Sequence, residues 1–266
     1  MERSKVTVPH VVSLKCRKKI VMVTAYDFPQ GASADRAGVD IVLVGDSLGN
    51  VVLGYPHTLP VTMEDMLHHA RAVRRGVQDA LLVADMPYLS YHLSTPEAVR
   101  NAGRFIQEAG ASAVKVEGGK KRIPVIQAML DAEIPVMGHL GLTPQSIHLL
   151  GGYKIQGRSA EQEEALVEEA LALESAGIFS LVLECVTASL ARRITKALEI
   201  PTIGIGAGPG CDGQVLVFHD LLGWSSGPKL KFVRTYADLS GEIHGALTRF
   251  KEDVEQNRFP SMEEAF

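Results

Sequence analysis

With 266 residues, 46% of them hydrophobic and 22% charged, the chain has an ordinary globular composition and enough apolar sequence for a large core. A formal net charge of -4 and the lack of a dense Lys/Arg run argue against a nucleic-acid surface, and the apolar runs fall short of the about 20 residues that a membrane helix needs. Cys16, Cys185 and Cys211 are odd in number and widely spaced, and the start MERSKVTVPH has no apolar signal region. Free thiols in a reducing, cytoplasmic setting are the expectation.

In chain order, short β-branched runs predict strands over 21–24, 41–44, 81–84, 113–116, 135–138, 180–183, 201–205 and 215–218. Stretches of helical period lie between them. Thr62 with Asp65 opens a helix whose apolar face runs Met63, Met66, Leu67, Ala70, Val73. Pro96, after Thr95, is a first-turn proline, and Val99, Ala102, Ile106 and Ala109 carry the stripe until Gly110 stops it. Ser159 with Gln162 opens a third helix, which ends near Gly177.

Strands alternating with helices predict a parallel sheet with crossover helices, and a set of this number favours a closed TIM-type (β/α)8 barrel. The seventh unit is the weakest, because the Gly-rich stretch GIGAGPGCDG between Ile205 and Val215 is too short for a full helix. Residues 1–266 read as a single barrel domain with 240–266 as a C-terminal helical extension. There Ile243, Leu247, Phe250 and Val254 recur at helical spacing, and the expectation is burial against a neighbouring subunit or the barrel's outer helices.

A barrel of this kind gathers the carboxyl ends of its strands at one rim, where active sites sit. Asp46 in LVGDSLG ends the second strand, Asp85 in VADMP the third, Glu117 in VKVEGG the fourth, His139 in VMGHLG the fifth and Glu184 in LVLECV the sixth. A strand period of two puts Lys115 on the face of Glu117. An acid in such a place is often the N-cap of the next helix. Asp46, Asp85, Glu117 and Glu184, each after an apolar run, are harder to dismiss.

Two carboxylates about 4 Å apart repel by about 4 kcal/mol at an effective dielectric of roughly 20, so the cluster needs protons or a cation. Hard carboxylate oxygens, with no Cys or His pair of zinc spacing at the strand ends, make Mg2+ the natural occupant. Gly204, Gly206 and Gly208 resemble part of a dinucleotide fingerprint, but Pro209 and Gly210 interrupt the helix start it requires, and a turn or phosphate-type loop is the better reading. His68 and His69 fall within the capped helix as surface or packing residues. No Gly-x-Ser-x-Gly elbow occurs, and Ser47 has no evident base, which argues against serine nucleophile chemistry.

The segments TAYD, LVGDSLG, TLPVT, VKVEGG, GHLGLTPQS, GGYKIQGR, VLECV and IGIGAGPGCDGQVLVFHD, in this order, closely resemble the ketopantoate (3-methyl-2-oxobutanoate) hydroxymethyltransferase family. The likeness runs from about Lys19 to about Leu222. It implies a (β/α)8 barrel, a Mg2+ ion, and transfer of a one-carbon unit from 5,10-methylenetetrahydrofolate to 3-methyl-2-oxobutanoate. The product would be 2-dehydropantoate (ketopantoate), on the route to pantothenate and coenzyme A, and the assembly a homodecamer. The resemblance also implies Mg2+ on Asp46, Asp85 and Glu117, oxo-acid contacts from Asp46, Ser47 and Asp85, Lys115 paired with that substrate, and Glu184 as proton acceptor. His139 either hydrogen-bonds the substrate or orients a ligand. One departure is DFPQGASADRAG, more polar than the helix expected after the first strand.

Two rival readings belong to other classes. A Mg2+-dependent carbon–carbon lyase or mutase of the phosphoenolpyruvate mutase and isocitrate lyase type would use the same barrel, but would carry a KKCGH-like loop that this chain lacks. A barrel that binds oxo acids without turning them over is the non-enzymatic alternative.

Overall fold

The computed structural model describes residues 4–225, 227 and 230–266. Parallel strands β1 (Ile20–Thr24), β2 (Ile41–Val44), β3 (Leu81–Asp85), β4 (Ala113–Glu117), β5 (Val136–Gly141), β6 (Ser180–Glu184), β7 (Thr202–Ile205) and β8 (Gly213–Leu216) close in that order into a barrel. Strands β2, β3 and β4 are buried along their whole length, because their inner face fills the barrel and their outer face meets helices. The sequence of β2, IVLV, therefore reads as a continuous apolar run, and the runs of β3 and β4 are interrupted only by Asp85, Lys115 and Glu117. The helix Val8–Ser13, capped by Thr7, adds Val11 to an apolar cluster that includes Ile20, Ile41, Leu81, Ala113, Met137 and Ile203.

The expected helices form. Thr62 and Asp65 make a reciprocal capping box on Met63–Gly76, which buries Met66, Leu67, Ala70 and Val73. Ser159 caps Ala160–Ser175. In Thr95–Ala109 the cap is Ser94, and the fully buried face is Ala98, Ala102, Phe105 and Ala109, while Val99 and Ile106 flank it half-buried. The polar stretch after β1 is the helix Phe28–Arg36. Its composition suits a close helix crossing: a Cβ on Gly31 would stand 2.8 Å from the Val73 carbonyl oxygen, and one on Gly76 2.6 Å from the Ala32 nitrogen. Gln30, buried there, accepts a hydrogen bond from the Tyr26 N–H at 3.0 Å.

The eighth strand corrects the sequence reading. It spans Gly213–Leu216, not 215–218, and Phe218 instead opens the short helix Phe218–Leu222. Gly213 pairs with both Ile20 and Ile203, and a Cβ there would lie 2.6 Å from the Ile20 carbonyl oxygen. A glycine that breaks the apolar run is what lets the barrel close. Among the described residues no helix joins β7 to β8.

The chain divides into two compact units, one ending at Val217 and the other comprising Phe218–Phe266. Within the second, Asp238 caps the helix Leu239–Glu255, and Phe250 meets Phe259 edge-on with ring centroids 5.5 Å apart. Among the described residues none on this helix is buried, and Leu247, Phe250 and Val254 are exposed. Among the described residues no helix is long and apolar enough to cross a membrane.

Candidate active site

Strand register assembles the site. Asp85 pairs with Lys115, Glu117 with His139, and Gly141 with Glu184 on neighbouring strands. Asp85, Glu117 and Glu184 are the last residues of β3, β4 and β6. Asp46 and His139 do not end their strands: Asp46 lies beyond Val44 in the turn before the helix Leu48–Val51, and β5 continues past His139 to Gly141. Asp46, Asp85, Lys115, Glu117 and His139 are all buried, whereas the Glu184 side chain keeps 18% of its surface.

Lys115 occupies the middle of the cluster. Its Nζ is 3.0 Å from Asp85 Oδ1, 4.0 Å from Glu117 Oε1 and 3.0 Å from His139 Nδ1. His139 Nδ1 also faces Glu117 Oε1 at 3.4 Å, and its Nε2 lies 3.2 Å from Glu184 Oε2. The imidazole thus stands between Glu184 and Glu117. The Asp46 N–H donates to Asp85 Oδ2 at 3.0 Å. Ser47, next in the turn, meets the Tyr26 hydroxyl at 2.8 Å.

Burial, then the charges of Asp85 and Glu117, hold the Asp46 carboxyl well above the usual range. Burial raises Asp85 as well, against the pull of Lys115. Glu117 goes the other way, since His139 and Lys115 outweigh its burial and lower it. Burial disfavours the Lys115 ammonium, but Asp85, Glu117 and Asp46 more than offset this and keep it charged. For His139, burial and Lys115 press downward, while Glu117 and Glu184 carry the pKa up to about 9. Asp46, Asp85 and Glu117 face Lys115 and His139 with an excess of negative charge, and a cation or a proton relieves it.

Among the described residues no three His, Cys, Asp or Glu side chains already converge as a metal site. The donor set nevertheless suits a hard divalent ion, being made of buried carboxylate oxygens without thiolate. Asp85 Oδ1 is buried and accepts no well-aligned hydrogen bond, although Lys115 stands beside it. These features fit Mg2+ on Asp46, Asp85 and Glu117.

Sequence reasoning missed the residues that hold this rim from outside the strand ends. Gln145 lies in the 3-10 turn Pro144–Ser146 after β5 and is buried. Its N–H donates to Glu117 Oε2 at 3.1 Å, and its side-chain Nε2 to Asp46 Oδ2 at 2.9 Å. Tyr91, from the loop after β3, donates its hydroxyl to Gln145 Oε1 at 2.6 Å. Both come from loops whose sequence carries no periodic signal. The backbone of Glu184 is also clamped: its carbonyl accepts from the Leu142 N–H at 2.8 Å. Gly141, at φ 92°, allows that approach, since a Cβ there would lie 2.2 Å from the same oxygen. Tyr153, in the GGYKIQGR loop, is exposed overall, yet partial burial of its hydroxyl and then the charges of Glu184, Asp46 and Glu117 raise its pKa, which places it in the field of the cluster.

Known proteins resemble this chain at two levels. Solved structures with the same fold include phosphonopyruvate hydrolase in complex with oxalate and Mg2+, at TM-score 0.64 and 14% identity over 97% of this chain and 93% of that one. Another is 2,3-dimethylmalate lyase, a member of the phosphoenolpyruvate mutase and isocitrate lyase superfamily, at TM-score 0.61 and 18% identity over 98% and 92%. At such identities the likeness is one of fold. Curated proteins lie much nearer. The 3-methyl-2-oxobutanoate hydroxymethyltransferase of Moorella thermoacetica is 57% identical over 100% of this chain and 99% of its own length. That of Syntrophomonas wolfei is 57% identical over 99% and 96%. The profile of one family, ketopantoate hydroxymethyltransferase, matches residues 5–262, and with the barrel and its acidic rim in place this chain belongs to that family of hydroxymethyl-transferring enzymes.

Proposed function

We propose that the protein catalyses Mg2+-dependent transfer of a hydroxymethyl group from 5,10-methylenetetrahydrofolate to 3-methyl-2-oxobutanoate, giving 2-dehydropantoate in pantothenate biosynthesis. The observation that carries this reading is the division of the rim. Asp46, Asp85 and Glu117 form a buried acidic group around Lys115, while Glu184 stands apart beyond His139 and partly open to solvent. One part suits an ion and an oxo acid, the other a base.

Asp46, Asp85 and Glu117 hold Mg2+, which when bound supplies a Lewis acid for the charge that grows on the 2-oxo oxygen. Lys115, kept an ammonium by its acidic neighbours, pairs with the anionic oxo acid, and Asp46, Ser47 and Asp85 complete the contacts that orient it. Glu184 takes the proton from C3. His139 Nε2, 3.2 Å away, keeps that carboxylate turned towards the substrate. The C3 carbon then bonds to the methylene carbon of the folate as one of that carbon's two bonds to nitrogen breaks and the nitrogen takes up a proton, and water displaces the second nitrogen, leaving the hydroxymethyl group on C3 and free tetrahydrofolate.

The lyase or mutase alternative rests on shared fold alone, and the chain has no KKCGH-like loop. The non-enzymatic alternative conflicts with membership of a transferase family. The same proposal takes the protein to be cytoplasmic and homodecameric, with the exposed Leu247, Phe250 and Val254 face used in assembly. The test is ketopantoate formation from 3-methyl-2-oxobutanoate, tetrahydrofolate and formaldehyde. Turnover that EDTA abolishes and Mg2+ restores supports the reading. Full activity in protein shown metal-free by elemental analysis contradicts it.

A further inference from the structure

Each carboxylate proposed to hold the ion has one oxygen already committed to a backbone or amide N–H. Asp85 Oδ2 is taken by the Asp46 N–H, Glu117 Oε2 by the Gln145 N–H, and Asp46 Oδ2 by the Gln145 side chain. Two of these three bonds come from Gln145. The oxygens these three bonds leave over are Asp46 Oδ1, Asp85 Oδ1 and Glu117 Oε1, and the last two face Lys115.

The orientation of the Gln145 amide is itself determined by its surroundings. Its Nε2 also donates to the Met86 carbonyl oxygen at 2.9 Å, and a carbonyl can only accept. The amide therefore cannot flip, and its Oε1 must face the Tyr91 hydroxyl, which donates to it. Tyr91 is fully buried and its ring lies under the Arg122 guanidinium, 5.5 Å from the centroid. Gln145 thereby presents a donor, and never an acceptor, to Asp46.

We infer that Gln145, locked by Tyr91 and the Met86 carbonyl, is a positioning residue that decides which oxygen of Asp46 is offered to the cation. The inference rests on the Mg2+ reading above. It adds that affinity for the ion depends on a residue that does not touch it, because an Asp46 carboxylate free to rotate must be ordered at the moment of binding. Partners of this kind are worth roughly 10- to 100-fold in metal affinity.

The probe is Mn2+ titrated into metal-free protein and followed by electron paramagnetic resonance. Gln145→Met keeps the side-chain length and the N–H to Glu117 but removes the donor to Asp46. We expect it to weaken Mn2+ binding by roughly 10- to 100-fold, with an unchanged circular dichroism spectrum. Turnover of this variant should recover as Mg2+ is raised, which a merely structural defect would not do. Tyr91→Phe removes the short bond to Gln145 Oε1 together with the longer contacts of that hydroxyl with the Glu117 backbone, 3.3 Å from its N–H nitrogen and 3.4 Å from its carbonyl oxygen, but leaves the Gln145 donor to Asp46 in place, and should weaken Mn2+ binding in the same direction by less. Wild-type affinity in both variants overturns the role of Gln145 while leaving the Mg2+ site standing. Failure of the wild-type protein to bind Mn2+ or Mg2+ overturns the Mg2+ reading itself.

Discussion

The two ends of the barrel are built from the same strands and obey opposite rules. On β4 the inward face reads Ala113, Lys115, Glu117, and on β5 Met137 is followed two residues later by His139. Val83 precedes Asp85 on β3, and Val182 precedes Glu184 on β6, at the same spacing. Ala113, Met137, Val83 and Val182 all belong to the apolar cluster with Val11 and Ile41. A step of two residues carries each strand from a layer that holds the fold together into a layer that costs stability. Below, burial removes apolar area from water at about 25 cal/mol per Å2. Above, burial strips water from carboxylates that repel one another, Lys115 and His139 offset part of the cost, and a bound cation or protons offset the rest.

Substitutions at the two ends should therefore separate activity from stability. Asp46→Ala is expected to have the largest effect, loss of turnover by roughly 10³-fold or more, because a metal centre supplies several kcal/mol of transition-state stabilisation. The unfolding free energy in EDTA should not fall with it. Near-wild-type Mg2+ affinity in that variant would move the site elsewhere. Ile41→Ala, at the other end, should lower stability by about 2–5 kcal/mol in urea unfolding and leave kcat of the folded fraction near that of wild type. A loss of kcat without a loss of stability would dissolve the distinction between the ends.

Proton linkage gives a finer test. In the folded state Asp46 and Asp85 stay protonated above their ordinary 3.8, through burial and through carboxylate neighbours. A raised acid stabilises the fold fully below its unfolded pKa and loses that contribution as pH rises through the folded value. Glu117, which burial raises but His139 and Lys115 lower further, has the opposite sign, while His139, carried up to about 9, has the sign of the pair. The metal-free protein should thus lose stability on leaving the acid range, and Mg2+ should stabilise it more near neutrality than in acid. At a hundred times Kd the gain is about 2.7 kcal/mol. A gain that shrinks as pH rises would show the acids are not what the ion meets.

The smallest expected effect concerns assembly. Leu247→Glu, on a helix with no buried residue, should leave the unfolding transition of the barrel unchanged and lower the mass seen by light scattering. An unchanged mass would remove this helix from the interface.

What is legible in the sequence follows the same division. Most strand positions, the Thr62–Asp65 capping box and the acids at the rim are legible, because apolar runs and their interruption by charge are local signals. The eighth strand was misplaced by the same reasoning: Gly213 looks like a turn, and only its neighbours Ile20 and Ile203 make it a strand residue. The periodicity of Thr95–Ala109 points to Val99, Ala102, Ile106 and Ala109, and packing keeps Ala102 and Ala109 but selects Ala98 and Phe105 in place of the other two. Gln145 and Tyr91 were invisible for a related reason. Their roles exist only where loops after β5 and β3 meet, 54 residues apart in the chain.

The central claim is that the rim removes the C3 proton of an oxo acid with Glu184 as the base. Deuterium exchange at C3 of 3-methyl-2-oxobutanoate, followed by NMR without any folate, reads that step alone. Wild-type protein with Mg2+ should exchange, and Glu184→Gln should bind Mg2+ and the oxo acid normally while exchanging roughly 10²- to 10⁴-fold more slowly. Exchange at the wild-type rate in Glu184→Gln, with ketopantoate formation still lost, would contradict the account and move the base to another residue of the rim, His139 first.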